Sequence, residues 1–410
     1  MKKTVLILCL PLLFAFASYF KSNSNEKPQL LREPYLQMVR EKTATITWKT
    51  DATAKNCRVE IHKENSSKTI VKEGTLTLHE NNRFNEVVFD KLKPNTKYYY
   101  SIYSNGYKLA AGENYYFITN PKGKKTAFSF YALGDIGAKL PHSFADKPAL
   151  VIKKLETQPN FGLGLGDIVY SKGESKFYDK QLFEPFQEVF KNIPFYPVPG
   201  NHDWYSDPEK NFEKEWSLPN NEHFYSFSYS NALFIGLDSS KGEFYHYEKQ
   251  LEWLKETLKN NKDKYDWTVV YLHHNGKTCS YKPNYESVIS IYKVLASNNV
   301  DLVLNGHAHT YERLKPYDGL GDIDPSQTNH TNYNKQDEKF ISITVGAGGK
   351  LNKKWTPDPE NEKNCKDGSI VAHYEHVPSF ALISIDQNTL KFEGINSLNG
   401  ERFDGFTITK

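Results

Sequence analysis

Residues 127–137 read AFSFYALGDIG, an apolar run that ends in a glycine and Asp135. Residues 161–170, FGLGLGDIVY, repeat this arrangement with Asp167 and a following Tyr170. A continuous apolar run of this length is typical of a strand that is buried on both faces. Glycine allows the chain to turn sharply where such a strand ends. The two stretches therefore predict buried strands that each place a carboxylate at their carboxyl end.

Further apolar runs follow the same pattern and alternate with segments of helical periodicity. These runs lie at residues 195–198, 233–237, 268–272, 300–304 and 340–345. In residues 248–260, Leu251, Leu254 and Leu258 fall largely on one face of a helix, and residues 285–298 have a similar pattern. Alternation of buried strands with helices predicts an α/β domain over residues 125–410.

The chain before this domain has a different pattern. Short stretches such as residues 44–48, ATITW, alternate apolar and polar side chains and predict half-buried strands across residues 28–120. Residues 92–98 resemble the corner of a fibronectin type III sandwich, in which a tyrosine hydroxyl bonds to the backbone beside a proline-containing turn. The polar residues 120–125 predict a linker. We therefore expect a fibronectin type III-like β-sandwich followed by the α/β domain.

The amino terminus resembles an export signal. Lys2 and Lys3 precede an apolar run at residues 5–20, and small residues at 15–17 offer a cleavage site. The run is shorter than the roughly 20 residues that a spanning helix needs. We expect residues 1–17 to be removed and the protein to be secreted, periplasmic or at the cell surface, without a stable membrane span. An uncleaved membrane anchor is the alternative.

Charge and cysteine content restrict the possibilities further. The formal net charge is +3, and no long block of like charges suggests a nucleic-acid-binding arm. After signal removal, Cys57, Cys279 and Cys365 remain, so at most one internal disulfide forms. Cys279–Cys365 is the candidate pair, because both residues fall in the α/β domain. Three unpaired thiols are the alternative.

Polar side chains follow five of the predicted strands. They are Asp135; Asp167 and Tyr170; Asn201, His202 and Asp203; His273 and His274; and His307 and His309. In α/β sheets, ligands bind at the carboxyl ends of the strands. Carboxylate, phenol, amide and imidazole groups bind hard to borderline metal ions, and no thiolate is among them. The pattern predicts a metal site at this edge.

The number of these groups indicates two metals rather than one. Even seven ligands out of these ten side chains would exceed a single tetrahedral site, but seven suit two adjacent ions that share a carboxylate. Such a pair can stabilise both the attacking and the leaving oxygen of a phosphoryl displacement. The sequence contains no G-x-x-x-x-G-K nucleotide loop and no G-x-S-x-G elbow. The sequence therefore predicts a metal-dependent phosphoesterase with a small-molecule phosphoester as its substrate.

The order of these blocks, GD, GD, GNH, an isolated histidine and GHxH, resembles the metallophosphoesterase superfamily. Within it, four stretches are similar to purple acid phosphatases: REPYLQ at 32–37, GDIVY at 166–170, GHAHTYER at 306–313 and GAGG at 346–349. The resemblance implies an α/β/β/α catalytic sandwich. It also implies acid phosphatase activity, in which a metal-bound hydroxide attacks phosphomonoesters at a binuclear Fe(III)–M(II) centre.

The same resemblance implies a role for each residue. Asp135, Tyr170 and His309 would bind Fe(III). Asn201, His273 and His307 would bind the second ion, which is Zn, Fe(II) or Mn(II) in relatives, and Asp167 would bridge both. His202 would face the substrate, as a general acid or by positioning the phosphate. Apart from the resemblance, we expect Asp203 beside this set to orient its neighbours through hydrogen bonds. His274 is expected to support a neighbouring ligand, and a direct catalytic role for His274 is the alternative.

One departure from the family leaves the substrate open. Plant members have two further substrate-facing histidines, but residues 275–298 contain none. Lys277, Tyr281 and Lys282 are the candidates to replace them. Two alternative functions remain at this point: a phosphodiesterase or pyrophosphatase on the same scaffold, and an adhesion or glycan-binding protein that uses the fibronectin-like domain. Tyr170 argues against typical diesterases, which lack it.

Overall fold

The structure is a computed structural model. It describes residues 26–410 except for residues 80 and 245 and the segments 124–125, 139–142, 206–210, 220–221, 242–243, 324–329 and 352–369. The predicted export signal at residues 1–17 lies outside the described residues. Within the described part of the chain, no helix is long and apolar enough to cross a membrane.

Nine strands between residues 30 and 118 form an all-β unit. They are β1 (Leu30–Gln37), β2 (Ala44–Asp51), β3 (Cys57–Lys63), β4 (Thr69–Glu73), β5 (Thr75–His79), β6 (Asn82–Phe89), β7 (Lys97–Ser104), β8 (Tyr107–Ala110) and β9 (Tyr116–Ile118). One sheet has the order β1-β2-β6-β5, and the other has the order β4-β3-β7-β8 with β9 paired to β7. Trp48, Val59 and Tyr98 contribute to the core that the two sheets enclose.

The predicted corner of this unit is confirmed. The hydroxyl of Tyr98 accepts a hydrogen bond from the backbone N–H of Lys93 at 2.9 Å, next to Pro94. The expectation that residues 44–48 form a half-buried strand is wrong in one respect, because β2 is buried on both faces. Its polar face, which includes Lys49, packs against the second unit of the chain rather than facing solvent.

Within the described part of residues 128–410, fourteen strands form the second unit. They are β10 (Phe128–Leu133), β11 (Phe161–Leu165), β12 (Phe195–Val198), β13 (Tyr225–Tyr229), β14 (Ala232–Gly236), β15 (Trp267–Tyr271), β16 (Leu302–Asn305), β17 (Tyr311–Leu314), β18 (Asn332–Asn334), β19 (Ile341–Val345), β20 (Val371–Glu375), β21 (Ser379–Asp386), β22 (Thr389–Asn396) and β23 (Arg402–Thr409). They make two seven-stranded mixed sheets, ordered β12-β11-β10-β21-β22-β23-β18 and β13-β14-β15-β16-β19-β17-β20. All seven predicted strands are present within about two residues of their predicted bounds.

Helices cover the outer faces of the two sheets. They are α1 (Asp146–Lys154), α2 (Ser175–Tyr178), α3 (Glu184–Phe190), α4 (Asn211–Glu215), α5 (Tyr247–Asn261), α6 (Glu286–Ile289) and α7 (Tyr292–Ser297), with a π-helical turn at Asp179–Phe183 and a 3-10 turn at His202–Trp204. Ile152 of α1 and Phe186 of α3 pack on the first sheet. Leu254 of α5 and Leu295 of α7 pack on the second. The expected α/β/β/α layering is therefore confirmed.

The helix predicted at residues 285–298 is broken in two. The break lies between α6 and α7, where the hydroxyl of Ser290 donates a hydrogen bond to the carbonyl of Ser287 at 2.6 Å. A serine side chain that bonds to a nearby carbonyl offers the backbone an alternative to the helical ladder. The apolar face nevertheless continues across the break, since Val288 and Leu295 lie in the same core cluster.

Two cysteines, Cys57 and Cys279, lie among the described residues. Cys57 is a buried free thiol. Cys279 is disulfide-bonded, so the alternative of three unpaired thiols is wrong. The proposed partner, Cys365, lies outside the described residues.

A buried ion-pair network joins the two units. Arg32 of β1 donates from Nε to Asp179 Oδ1 at 2.5 Å and from Nη1 to Glu215 Oε2 at 2.7 Å. The guanidinium carbon also lies 3.6 Å from the ring centroid of Phe183. Lys49 Nζ donates to the other oxygen of Asp179 at 2.7 Å. The REPYLQ stretch therefore acts as a docking strand between the units.

Replacing Arg32 by alanine should lower the free energy of unfolding by about 3–5 kcal/mol, because it leaves the buried carboxylate of Glu215 without a counter-charge. Urea denaturation followed by tryptophan fluorescence measures this loss. Arg402→Ala is the control, since Arg402 is half-exposed in a 3.4 Å pair with Glu393 and should cost less than about 1 kcal/mol. Equal and small losses in both variants would contradict the docking role.

Candidate metal centre

The strand ends of both sheets meet at one edge. Asp135 follows β10, Asp167 follows β11, His273 follows β15 and His307 follows β16. Three of these residues leave their strands through left-handed backbone, with φ of 53° at Asp135, 51° at Asp167 and 69° at His307. Non-glycine residues rarely adopt this conformation, and it occurs preferentially at functional sites. The local backbone thus turns each side chain away from its strand and toward a common point.

Glycines beside these residues allow the loops to approach closely. A Cβ atom on Gly306 would lie 2.7 Å from Asp135 Oδ2, and one on Gly200 would lie 2.3 Å from Asp167 Oδ1. Both distances are below van der Waals contact. Any side chain at either position would therefore displace a carboxylate of the site.

A first group of atoms that could bind a metal surrounds the hydroxyl of Tyr170. This oxygen lies 2.8 Å from Asp135 Oδ1, 2.7 Å from Asp167 Oδ2 and 3.3 Å from His309 Nε2. His309 Nε2 is in turn 3.2 Å from Asp135 Oδ1. Four predicted ligands thus bring the atoms that could bind a metal to one point.

A second group surrounds Nε2 of His273. This nitrogen lies 3.3 Å from Asp167 Oδ1, 3.1 Å from Asn201 Oδ1 and 3.2 Å from His307 Nδ1. Asp167 therefore contributes one carboxylate oxygen to each group. This is the position that a bridging ligand between two ions must occupy.

The hydrogen bonds behind the histidines fix which nitrogen faces each group. His273 Nδ1 lies 2.8 Å from the carbonyl of Leu165, so it carries the proton and Nε2 presents its lone pair. His307 Nε2 lies 2.7 Å from the hydroxyl of Tyr285, so Nδ1 is the nitrogen that faces the second group of ligand atoms. Asn201 donates from Nδ2 to the hydroxyl of Tyr205 at 2.8 Å, which directs its amide oxygen inward. Each side chain thus presents an acceptor atom.

The buried carboxylates of Asp135 and Asp167 accept hydrogen bonds from the hydroxyl of Tyr170, but no lysine or arginine side chain in the described part of the chain neutralises their charge. Among the described residues, no lysine or arginine donates a hydrogen bond to the carboxylates of Asp135 or Asp167. Burial, together with these two carboxylates, raises the pKa of Tyr170 well above its ordinary value. Burial opposes protonation of His273, but the carboxylates of Asp167 and Asp135 raise its pKa to about 9. The donor set therefore fits two metal ions, which would neutralise the carboxylates and stabilise the phenolate.

Asp203 does not face this centre. Its buried carboxylate accepts hydrogen bonds from the backbone N–H groups of Ile168 at 3.0 Å, Val169 at 3.1 Å and Gly200 at 2.8 Å. These bonds tie the loop of Asp167 to the loop of Asn201. The geometry supports the predicted orienting role and gives no direct catalytic role to Asp203.

His202 and His274 occupy different positions. His202 Nδ1 lies 2.6 Å from the carbonyl of Ser171, while Nε2 lies 3.9 Å from Asp167 Oδ2, and its side chain is 27% exposed. His274 is buried, and its ring packs against His307 at 4.2 Å between centroids. Burial lowers the pKa of both histidines. His202 is open to an incoming ligand, whereas His274 supports His307 from behind.

Several residues at the site were missed by the sequence analysis. Tyr205 and Tyr285 hold ligands, and the ammonium of Lys350 lies 3.8 Å from the ring centroid of Tyr170. Of the proposed histidine replacements, Tyr281 accepts a hydrogen bond from the N–H of His309 at 3.1 Å. Lys277 Nζ donates one hydrogen bond to the carbonyl of Gly321 at 2.8 Å. No motif marks these residues, since their positions depend on loop conformation.

Comparison with known proteins agrees with this geometry. The family model "Calcineurin-like phosphoesterase" matches residues 128–311, and "Purple acid Phosphatase, N-terminal domain" matches residues 32–119. Purple acid phosphatase 21 of Arabidopsis thaliana is 26% identical over 298 residues, which cover 67% of this chain and 60% of that protein. Purple acid phosphatase 18 of the same plant is 24% identical over 356 residues, covering 80% and 73%. The chain thus spans only part of these relatives' length.

Solved structures show the same fold. The purple acid phosphatase PPD1 from yellow lupin seeds superimposes with a TM-score of 0.79 at 18% identity, covering 92% of this chain and 74% of that one. The structure of PhoD gives a TM-score of 0.64 at 14% identity, covering 88% and 85%. Another similar protein, 23% identical over 330 residues, bears the name "Probable inactive purple acid phosphatase 9".

Replacing Tyr285 by phenylalanine should weaken the binding of one metal roughly 10- to 100-fold, because His307 loses the hydroxyl that orients its ring. Metal retention against a graded chelator, measured by plasma mass spectrometry, tests this. Tyr247→Phe is the control, since the hydroxyl of Tyr247 contacts only the exposed Ser290 at 3.1 Å among its described partners. Loss of both metals together, or of neither, would contradict this role.

Proposed function

Because the chain belongs to the purple acid phosphatase family, we propose that it is an exported enzyme that hydrolyses phosphomonoesters. The proposed centre contains Fe(III) and a second ion, Zn, Fe or Mn. The observation that carries the proposal is the position of Asp167, whose two oxygens belong to two separate groups of acceptors. The proposed domain limits are those of the sequence: a signal at 1–17, a fibronectin-like domain at 28–120 and a catalytic domain at 125–410.

The proposed ligands divide between the two ions. Asp135, Tyr170 and His309 would hold Fe(III); Asn201, His273 and His307 would hold the second ion; and Asp167 would hold both. When bound, such a pair supplies positive charge for the phosphate and activates a water molecule for attack on phosphorus. The chain's own contribution is to hold these donors in place through the hydrogen bonds of Leu165, Tyr205, Tyr285 and Asp203.

The phenol distinguishes this proposal from an ordinary phosphodiesterase. The hydroxyl of Tyr170 lies within 3.3 Å of ligand atoms from three other proposed ligands, which supports direct binding of the first ion by Tyr170. A phenolate bound to Fe(III) absorbs visible light by charge transfer from ligand to metal. The iron-loaded, oxidised protein is therefore expected to be violet.

Replacing Tyr170 by phenylalanine should abolish the visible band, because the band requires the phenolate. The fold should remain, since phenylalanine keeps the ring in its buried position. Absorption spectroscopy with circular dichroism measures both. Tyr178→Phe, another buried tyrosine, is the control and should keep the band. A colourless wild type that is fully active with divalent metal alone, or that prefers diesters to monoesters, would favour an ordinary metallophosphoesterase.

His202 is the proposed proton donor to the leaving group. The carbonyl of Ser171 holds Nδ1 at 2.6 Å, which leaves Nε2 on the side of Asp167 and the centre. A proton on Nε2 could pass to the oxygen of the departing alcohol. The alternative is that His202 only hydrogen-bonds to the phosphate and positions it.

Replacing His202 by alanine should slow the hydrolysis of alkyl phosphates by roughly 10²–10⁴-fold, because an alkoxide leaves poorly without a proton. Aryl phosphates with acidic leaving groups should lose less. Steady-state rates on both substrate classes, at matched metal content, give the comparison. Equal losses on both classes would assign His202 to positioning instead.

A further inference from the structure

His223 is a buried histidine outside the set of proposed metal ligands, and both of its ring nitrogens face carboxylates. Nδ1 lies 2.6 Å from Asp238 Oδ2, and Nε2 lies 3.2 Å from Glu213 Oε1. The side chain of His223 is only 1% exposed. A neutral imidazole has one N–H, so it could donate to only one of these carboxylates and would turn a lone pair toward the other. The geometry therefore fits the doubly protonated imidazolium.

The charged groups around the ring also favour this form. Burial opposes protonation of His223, but hydrogen bonds to Asp238 and Glu213 and the charges of these two carboxylates raise its pKa. Glu222 precedes His223 in the chain, and Asp203 lies on a neighbouring turn of the backbone. Burial raises the pKa of each of these two carboxyl groups to about 7. A histidine so surrounded by acidic groups is stabilised as a cation.

Trp204 lies flat against the ring of His223. The two ring centroids are 4.9 Å apart, and the ring planes differ by 5°. Trp204 ends the 3-10 turn that begins at His202, and its backbone N–H donates to the carbonyl of Asn201 at 3.4 Å. An aromatic face attracts a cation that lies over it. The charge of His223 therefore acts on the turn that carries a proposed metal ligand and the proposed proton donor.

The partners of His223 belong to two further elements. Glu213 lies on α4, and Asp238 lies in the loop after β14. The backbone N–H of Asp238 donates to Gln250 Oε1 of α5 at 2.8 Å, which holds that loop in place. His223 thus joins α4 and a fixed loop of the second sheet to the turn of Trp204.

We propose that His223 is a positioning residue of the proposed metal centre. As an imidazolium it holds the ring of Trp204, and Trp204 holds the turn that carries Asn201 and His202. The proposal rests on the proposed function, in which Asn201 binds the second ion. This positioning depends on pH. It is complete below the ordinary histidine pKa of about 6.5, and it is lost as the pH rises through the higher pKa of folded His223.

Retention of the second ion by the metal-loaded protein tests this role. His223→Gln keeps one hydrogen-bond donor but has no charge. At mildly acidic pH it should weaken retention against a graded chelator roughly 10-fold, the low end of the effect of residues that orient metal ligands. At alkaline pH the difference from the wild type should shrink, because wild-type His223 is then neutral as well. Plasma mass spectrometry measures the retained metal at each pH.

The comparison between the two proteins isolates His223, since Glu222 and Asp203 are present in both. A loss of the same size at every pH would assign His223 to packing alone and overturn the proposal. His62→Gln is the matched control, because it removes a histidine that stacks on Tyr99 at 5.5 Å between centroids in the first unit. This variant should retain metal as the wild type does.

A double-mutant cycle tests the route through Trp204. In a Trp204→Leu background, His223→Gln should cause little further loss of metal, whereas additive losses would contradict the route. Circular dichroism checks the fold. If the leucine variant does not fold, Trp204→Phe replaces it, and the effect of His223→Gln should then be smaller than in the wild type, because a phenyl ring attracts a cation less strongly than an indole.

Metal retention needs no turnover, so the two proposals can fail separately. A protein that shows the pH-dependent effect of His223→Gln but hydrolyses no phosphomonoester would support the positioning role and overturn the proposed function.

Discussion

The carboxylate of Asp167 is the constraint on which the rest of the site depends. One of its oxygens lies 2.7 Å from the hydroxyl of Tyr170, and the other lies 3.3 Å from Nε2 of His273. A buried carboxylate is costly to keep ionised unless hydrogen-bond donors or positive charge stabilise it on both sides. The fold therefore has to hold several buried polar groups together around Asp167. Much of the surrounding structure can be understood as the means by which it does so.

Backbone conformation supplies most of this positioning. The left-handed turns at Asp135, Asp167 and His307, and the clamping of two loops by Asp203, are local conformations that cost free energy. Their cost is offset by a core in which the two sheets interdigitate aromatic rings, such as Phe130 and Phe234 at 5.1 Å between centroids. The all-β unit adds to this framework, since Arg32 pairs with carboxylates of the second unit. The first unit is thus a structural support as well as a separate sheet pair.

The site residues that directly follow a strand could be predicted from the sequence. Each of these residues belongs to a short motif in which a buried strand is followed by a glycine and then by the ligand. The pattern that predicts the strand therefore also predicts Asp135, Asp167 and His307. Strands β20 to β23 were not predicted, because sequence alone does not show how they pair with the site-bearing strands. Tyr205, Tyr285 and Lys350 were missed because each acts from a loop, where contacts across the site decide its position. The break at Ser290 was missed because a single side-chain hydrogen bond overrode a continuous apolar face.

This division between strand ends and loops has a functional consequence. The strand ends carry the groups that fit metals. The loops carry other groups around the centre, such as Tyr205 and Lys350. Tyr170 contacts both the strand-end groups and a loop residue. Its hydroxyl lies in the first group of ligand atoms, and its ring lies under the ammonium of Lys350. A change in the loop that carries Lys350 would therefore act directly on Tyr170, a proposed metal ligand.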